Sequence, residues 1–308
     1  MIGPTLEELS TFTLNNYIKL LRYLKETFHV VRFCEAPRYD SYLILRHDID
    51  YSPEVALSMA RLEQGMGIKA TYFALLYSTS YDATDGRIQN TLKEISRLGH
   101  EIGLHYLPLQ YQSYKRPVND TLQLEVEMLE KISGQKIHTI SRHGIWDRDP
   151  FFSVRGLINA NHPYWRSDLF VHESCRAWYP VEGLVKLLKF PPRRAQLLIH
   201  PDNWTFERID RTELIDRLLQ STQACQLEKQ NLREIWMTDP LVSEFDRKLG
   251  ERSQIQDLLF DVELGMESDS SVKRELKYYK NLVNWYLVNS RVGWWCHNII
   301  SRVRGQIG

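Results

Sequence analysis

The stretch Tyr42–Asp50, with the sequence YLILRHDID, constrains the fold of this chain more than any other segment. It begins with mostly apolar residues that favour a buried β-strand. Its second half contains the ionisable residues Arg46, His47, Asp48 and Asp50. Such side chains cannot all be buried without partners or a metal. Ser52 and Pro53 follow, and they suit the N-cap and the first residue of a helix. The polar residues are therefore predicted where a strand ends and a helix begins, a common place for functional sites in α/β proteins.

Segments with strand character alternate with segments of helical periodicity along most of the chain. Helices are expected at about 13–28, 53–65, 85–98, 120–133, 149–160 and 211–229. Strands are expected at about 29–33, 42–49, 68–76, 100–105, 137–141, 164–167 and 196–200. This alternation predicts an α/β fold of parallel βαβ units with an N-terminal helix. From about residue 240 the pattern becomes helical and more charged, so we expect a barrel domain at 1–240 and a helical C-terminal extension at 241–308.

Composition narrows the classes of function. The 308 residues include 39 Lys and Arg against 39 Asp and Glu, and zero net charge gives no electrostatic case for binding nucleic acid. The start, MIGPTLEELS, lacks the features of a signal peptide, and no apolar run reaches membrane-spanning length. The four cysteines are far apart without CxxC spacing, so neither a disulfide framework nor a cysteine zinc site is expected. These features lead us to expect a cytoplasmic protein.

Six ionisable residues are predicted at or just beyond the carboxyl ends of strands: Asp48, Asp50, His105, His143, Asp168 and His200. In a parallel barrel those ends share one face, so these residues would converge on one cavity. Carboxylates and imidazoles suit zinc, cobalt, manganese or iron better than calcium. A catalytic metal needs about three protein ligands and an open position, which leaves a carboxylate and a histidine as base and acid.

Five short motifs follow one another along the chain: RHDID at 46–50, KATYF at 69–73, GHEIGLH at 99–105, SRHG at 141–144 and LIHP at 198–201. Together they resemble the motifs of the polysaccharide deacetylase superfamily, carbohydrate esterases with the chitooligosaccharide-deacetylase fold. The branch that reads HDxD is the most similar. Each motif alone is weak, but five in order over about residues 42–204 form a fairly specific signal. The resemblance implies a distorted or incomplete (β/α) barrel of parallel strands and a metal-dependent deacetylase.

The resemblance also implies roles for individual residues. By motif position, Asp48 would be the general base and Arg142 would orient it. Asp50 and His105 would bind the metal, for which zinc is our first expectation. His200 would be the general acid that protonates the leaving amine.

The chain departs from the family pattern at one metal ligand. The family's second motif carries another histidine four residues after the first, where this chain has Leu109. His143 is our candidate for the missing third ligand. His47 and His100 are less suitable. Each lies one residue from a strand position whose side chain would face the site, so its own side chain would face the other side of the sheet.

Substrate contacts are expected from Asp168, Trp146 and Trp178. Asp168 would help to position His200 or the sugar. The tryptophans could stack on sugar faces, although core packing would explain them equally well.

Structural explanations exist for the other candidates too. Asp48 and Asp50 alone could be a loop-capping pair, and His105 and His200 alone could be structural histidines. Their joint occurrence in an ordered set of motifs favours catalysis. The aromatic and basic C-terminal helix would pack on the barrel or on another subunit, or would contact a membrane surface peripherally.

We therefore expect an enzyme that removes an N- or O-acetyl group from a sugar or glycoconjugate, in surface-polysaccharide biosynthesis. Two alternatives remain open. One is an amidohydrolase that acts on a non-sugar C–N bond. The other is a catalytically weak sugar-binding protein of the same fold. This alternative is motivated by Leu109, which stands where the family carries a metal-binding histidine.

Overall fold

The computed structural model describes residues 3–78, 80–107, 118–143, 156–166 and 168–221. The strands are β1 (Val30–Val31), β2 (Tyr42–Ile49), β3 (Thr71–Leu75), β4 (Glu101–Tyr106), β5 (Thr139–Arg142), β6 (Ile158–Asn159), β7 (Phe170–Ser174), β8 (Ala177–Tyr179) and β9 (Arg194–Ile199). The α-helices are α1 (Leu6–Leu9), α2 (Leu14–Thr27), α3 (Pro53–Gly65), α4 (Gly86–Arg97), α5 (Val118–Ser133), α6 (Pro163–Arg166), α7 (Val181–Lys189) and α8 (Arg211–Ser221). Two 3₁₀-helices span Ala36–Arg38 and Pro201–Asn203. The predicted C-terminal extension lies outside the described residues.

The strands form one curled sheet, an incomplete barrel. Their order is β6-β5-β4-β3-β2-β9-β7-β8, and β1 pairs with the beginning of β2. Neighbouring strands in the described residues pair in parallel, except for the antiparallel pair of β7 and β8. The prediction of an α/β fold with a distorted barrel of parallel strands and an N-terminal helix is confirmed. Because the strands are parallel, their carboxyl ends form one edge of the sheet.

Strand β2 lies at the centre, and all eight of its residues are buried. Hydrogen bonds to β3 and β9 satisfy its backbone on both sides, as a buried strand requires. Alternate side chains face opposite sides of the sheet. Helix α3 starts just beyond the strand, with Ser52 as N-cap, and the Ser52 hydroxyl accepts a hydrogen bond from the Val55 N–H at 3.2 Å. The predicted transition from strand to helix is confirmed.

Two sequence predictions were wrong in the middle of the chain. The strand predicted at about 164–167 is instead part of the short helix α6, because Pro163 is suited to a first helical position and outweighs the strand propensity of Tyr164 and Trp165. The strand comes later, at Phe170–Ser174. The end of the helix predicted at 149–160 is instead strand β6, which pairs with β5.

The apolar N-terminal segment packs on the sheet next to β8. Trp178 is only 1% exposed, its ring stacks on Phe12, and its indole N–H donates to the Leu9 carbonyl at 3.2 Å. Within the described residues, no helix is both long enough and apolar enough to cross a membrane.

Candidate metal and catalytic site

Five ionisable side chains meet at the carboxyl edge of the parallel strands. Asp48 and Asp50 come from the end of β2, His105 from β4, His143 from the residue after β5 and His200 from the residue after β9. The measured distances place the carboxylate of Asp50 at the centre. Its Oδ1 lies 3.5 Å from His105 Nε2 and 3.4 Å from His143 Nδ1, and its Oδ2 lies 3.6 Å from His200 Nε2.

Asp50, His105 and His143 form a candidate metal site. Each offers one ligand atom, and these atoms all lie within 4.8 Å of one another. Asp50 Oδ1 is buried and has no hydrogen-bond partner among the described groups, which is costly for a carboxylate oxygen unless a cation satisfies it. One carboxylate and two imidazoles match the donor set of a catalytic zinc or a similar divalent metal. The residues therefore fit a divalent transition metal.

The ring of His105 is oriented for such a role. Its Nδ1–H donates to the Ser141 carbonyl at 3.1 Å, so Nε2 carries the free electron pair and faces Asp50. Burial lowers the pKa of His105 to about 4, against the opposing charges of Asp48 and Asp50. The imidazole is thus neutral near neutral pH, as metal ligation requires.

His143 is the third member of the candidate metal site. Its Nδ1 lies 3.1 Å from His105 Nε2, and the two rings meet edge to face. Burial lowers the pKa of His143, but the negative charge of Asp50, 3.4 Å away, outweighs burial and leaves the pKa raised. A metal ion would have to displace the proton from this nitrogen. Leu109 lies outside the described residues.

Asp48, the expected base, is held by Arg46. Nε and Nη2 of Arg46 donate to its two carboxylate oxygens at 2.8 and 2.7 Å. Burial raises the pKa of Asp48, but the guanidinium and nearby histidines outweigh burial and leave the pKa below its ordinary value. Arg46 therefore orients Asp48, and the same role for Arg142 stays a prediction. The backbone N–H of Arg142 donates to Asn161 Oδ1 at 2.8 Å.

His200, the expected acid, is held by Glu173 of β7. Its Nδ1–H donates to the Glu173 backbone carbonyl at 2.7 Å, and its backbone N–H donates to Glu173 Oε1 at 2.5 Å. The other oxygen of Glu173 accepts a hydrogen bond from the Asn203 amide. Burial lowers the pKa of His200, but the hydrogen bond and charge of Glu173, together with Asp50 and Asp48, raise it to about 10. Positive charge added beside Asp50 would lower this pKa again.

Two expected substrate residues lie elsewhere. Asp168 precedes β7 instead of following a strand, so it lies at the amino edge of the sheet, where its carboxylate pairs with Arg194 at 2.8 and 2.9 Å. It cannot position His200 from there, and Glu173 does so instead. Trp178 is buried in the core and cannot stack on a sugar. Trp146 lies outside the described residues.

The structure places His47 and His100 away from the site, on the helix side of the sheet, as expected from strand alternation. His47 Nε2 lies 2.8 Å from Glu63 Oε1, and His100 Nδ1 lies 3.7 Å from Glu63 Oε2. Hydroxyl groups of Tyr17 and Tyr72 donate to the same carboxylate at 2.5 and 2.8 Å. These fully buried groups form a separate polar cluster that joins α2 and α3 to the sheet.

Sequence reasoning placed Arg46 among the polar residues at the end of β2 but gave it no role, and it missed Glu173 as part of the site. The role of Arg46 could have been found, because it lies two residues before Asp48 on the same strand and must share its face. Glu173 could be found only after β7 is placed correctly, since its role depends on the pairing of β7 with β9.

Comparison with known proteins gives distant likenesses only. The chain matches no family model and no curated protein. Among solved structures, it is similar to a CE4 family pseudoenzyme from Bacillus anthracis, with 18% identity over 61% of this chain and 64% of that chain and a TM-score of 0.31. It is also similar to the peptidoglycan deacetylase PdaC from Bacillus subtilis, with 16% identity over 64% of this chain and 94% of that chain and a TM-score of 0.32.

A third similar structure is a family 4 acetyl xylan esterase from Clostridium thermocellum in complex with cobalt, with 13% identity over 58% of this chain and 82% of that chain and a TM-score of 0.30. The chain matches less than two thirds of the length of the pseudoenzyme. The assignment of an incomplete barrel rests on the strand order of the chain itself.

Proposed function

We propose that this chain is a metal-dependent deacetylase that hydrolyses an N- or O-acetyl group on a sugar or glycoconjugate. The observation that carries the proposal is the convergence of one carboxylate and two imidazoles, those of Asp50, His105 and His143, beside the buried Asp48 and beside His200. This is the set of groups that water attack on an amide or ester requires: a cation site, a base and an acid.

The proposed base is Asp48. Its lowered pKa keeps it ionised near neutral pH, and Arg46 occupies both of its oxygens and fixes its orientation. His105 Nε2 lies 3.5 Å from Asp48 Oδ2, so the base is adjacent to the candidate ligands. Asp48 would accept the proton of the attacking water.

The proposed acid is His200. The amine of an acetamide leaves poorly unless it is protonated as the C–N bond breaks. His200 carries a proton on Nε2 near neutral pH, because its pKa is raised to about 10. Nε2 lies 3.6 Å from Asp50 Oδ2, whereas the two candidate imidazole ligands lie near Asp50 Oδ1.

The metal would be held by Asp50, His105 and His143. When bound there, a divalent cation supplies Lewis-acid polarisation of the carbonyl oxygen and makes water more acidic. His143 would supply the third ligand that is missing because the chain has Leu109 where the family pattern has a histidine. A complete set of three ligands favours catalysis over the weak sugar-binding alternative.

The test is to incubate the purified, zinc-loaded chain with acetylated sugar nucleotides, lipid-linked sugars and oligosaccharides, and to measure free acetate. We expect acetate from at least one class and loss of activity on the order of a hundredfold or more in Asp48→Asn. Asp168→Asn is the matched control, because it removes a carboxylate at the opposite edge of the sheet. In oxygen-18 water, direct attack would place one labelled oxygen in each acetate.

Other results would change the assignment. Trapping of a covalent acyl-enzyme would overturn direct attack by water. A chain that binds metal but releases no acetate, and that hydrolyses non-sugar amides, would be an amidohydrolase. A chain that binds acetylated oligosaccharides without hydrolysis would be a sugar-binding protein.

A further inference from the structure

Asp50 lies just beyond the end of the parallel ladder that positions the rest of β2. The pairing of β2 with β9 stops at His47, and its pairing with β3 stops at Ile49. The carboxylate of Asp50 is central to the candidate metal site, because its Oδ1 lies 3.5 and 3.4 Å from the two imidazole nitrogens. The affinity of such a site depends on how accurately each ligand is held. Contacts outside the ladder must therefore hold the backbone of Asp50.

The hydroxyl group of Tyr81 bridges the ends of β2 and β3. Tyr81 belongs to the segment between β3 and α4 and is only 5% exposed. Its oxygen accepts a hydrogen bond from the Leu75 N–H at 2.8 Å, and the hydroxyl donates to the Ile49 carbonyl at 3.1 Å. One hydroxyl thus satisfies a buried N–H and a buried C=O together. The two strand ends are joined at the residue that precedes Asp50.

The same bridge extends to a second candidate ligand. Leu75 is the residue of β3 that pairs with His105 of β4. Tyr81 therefore connects the backbone beside Asp50 with the backbone that pairs with His105. The strand β3 lies between the two strands that carry these ligands, so a change at its end would alter their separation.

Ser78 provides another anchor from the same segment. Its hydroxyl donates to the backbone carbonyl of Asp50 at 3.3 Å. The Ser78 oxygen in turn accepts a hydrogen bond from the Ser80 N–H at 3.0 Å, which orients the hydroxyl. Hydrogen bonds from one segment thus reach the backbone carbonyls of two consecutive residues, Ile49 and Asp50.

We propose that Tyr81 and Ser78 are positioning residues of the candidate metal site, whose hydroxyl groups hold Asp50 and His105 at the separation that a divalent cation requires. The inference rests on the metal site put forward under the proposed function. Both residues act through the backbone. Without the Tyr81 hydroxyl, the buried Leu75 N–H and Ile49 carbonyl lose their partner, and the strand ends must shift to find others.

The first test removes the hydroxyl of Tyr81 alone. We expect the affinity of Tyr81→Phe for zinc, and for cobalt, to fall by about tenfold. The visible spectrum of the cobalt form should change, because the ligand geometry changes. Tyr72→Phe is the matched control, because it also removes a buried hydroxyl, which donates to Glu63 at 2.8 Å on the helix side of the sheet. The thermal midpoint of the metal-free chain should fall in both variants, but Tyr72→Phe should keep the wild-type metal affinity and cobalt spectrum.

The second test uses Ser78, whose side chain is only partly buried, so its loss should not prevent folding. We expect Ser78→Ala to bind zinc and cobalt about threefold more weakly, a smaller loss because its hydrogen bond to Asp50 is long. Ser58→Ala removes an exposed hydroxyl that donates to the Glu54 carbonyl in α3, and it should leave the affinity unchanged.

Three results would overturn the proposal. One is wild-type metal affinity and cobalt spectrum in both Tyr81→Phe and Ser78→Ala. Another is an equal loss of affinity in Tyr72→Phe, which would mean that general destabilisation weakens binding. If Tyr81→Phe does not fold, Ser78→Ala decides, and wild-type affinity there is the third. A wild-type chain that binds metal would leave the proposed function intact in each of these cases. If the wild-type chain binds neither metal, the proposed metal site itself fails and this inference fails with it.

Discussion

Arg46 and Asp48 lie two residues apart on β2, on the same face of the sheet, and form a buried two-point ion pair. The same guanidinium donates to Gln196 Oε1 of β9 at 3.2 Å and to the Ser141 hydroxyl of β5. Three strands thus fix the arginine, and the arginine fixes both oxygens of the proposed base. The sheet therefore holds Asp48 in position through Arg46.

Replacing Arg46 should therefore affect both stability and the pH dependence of the reaction. Arg46→Met leaves Asp48 as a buried charge without its main partner, which should lower the free energy of unfolding by about 3 kcal/mol. The pKa of Asp48 should rise, because the guanidinium that lowers it is gone. The acidic limb of the activity profile should move to higher pH. Chemical denaturation and rate–pH profiles measure these effects.

Two further variants control this experiment. Arg46→Met with Asp48→Asn should recover part of the lost stability, since no buried charge remains. Arg87→Met removes a partner of Asp85 on the surface and should leave unfolding unchanged. Full stability in Arg46→Met alone would contradict the structural account.

Removing His143 should weaken metal binding. We expect the affinity of His143→Ala for zinc or cobalt to fall at least about tenfold. Removal of a residue that only supports a metal ligand typically lowers the metal affinity by this factor, and removal of a ligand itself should lower it at least as much. Equilibrium dialysis measures the affinity, and the visible spectrum of the cobalt form reports the ligand set. His138→Ala, an exposed histidine before β5, is the matched control. Equal affinities in both variants would exclude His143 as a ligand.

Some residues of this site could be placed from the local sequence alone. Tyr42–Asp50 carries its own strand signal, and the Ser52–Pro53 sequence marks the start of the helix, so the position of Asp48 and Asp50 required no knowledge of the rest of the fold. His105 and His200 were placed in the same way, because each ends or follows an apolar strand.

The partners of these residues were harder to predict, since they depend on which strands are neighbours. Asp168 was chosen because the aromatic residues before it suggested a strand. Those residues form α6, and the adjacent strand β7 brings Glu173 to His200. A short helix and a short strand differ little in apolar periodicity, and the tertiary pairing with β9 decides the outcome.

The Glu63 cluster should make stability depend on pH. Burial raises the pKa of Glu63, but His47 and its other partners outweigh burial and lower the pKa below 4.5. A lowered pKa means that the stabilisation is present above the unfolded value and is lost as the pH falls through the folded one. Glu63→Gln should lower the free energy of unfolding by about 3 kcal/mol near neutral pH and flatten its decrease at acid pH.

Denaturation of Glu63→Gln at a series of pH values measures both effects. Glu94→Gln is the control, because Glu94 is partly exposed and lies 3.9 Å from its arginine neighbours Arg61 and Arg97. Metal affinity should be the same in both variants, since the Glu63 cluster faces the helix side of the sheet. An unchanged pH dependence in Glu63→Gln would show that other groups control acid unfolding.

Glu173 should set the protonation of His200. In the metal-free chain the pKa of His200 is raised to about 10, so the stabilisation from its protonated form is present below 6.5 and is lost as the pH rises through about 10. Glu173→Gln keeps a side-chain oxygen that can accept the hydrogen bond from the backbone N–H of His200, but it removes the negative charge. The pKa of His200 should therefore fall by at least about one unit, which NMR titration of the ring protons measures. The basic limb of the activity profile should move in the same direction. Asp168→Asn should shift neither quantity, because Arg194 and not His200 is its partner. If the pKa of His200 shifted in Asp168→Asn but not in Glu173→Gln, Asp168 would be the residue that positions His200, as the sequence predicted.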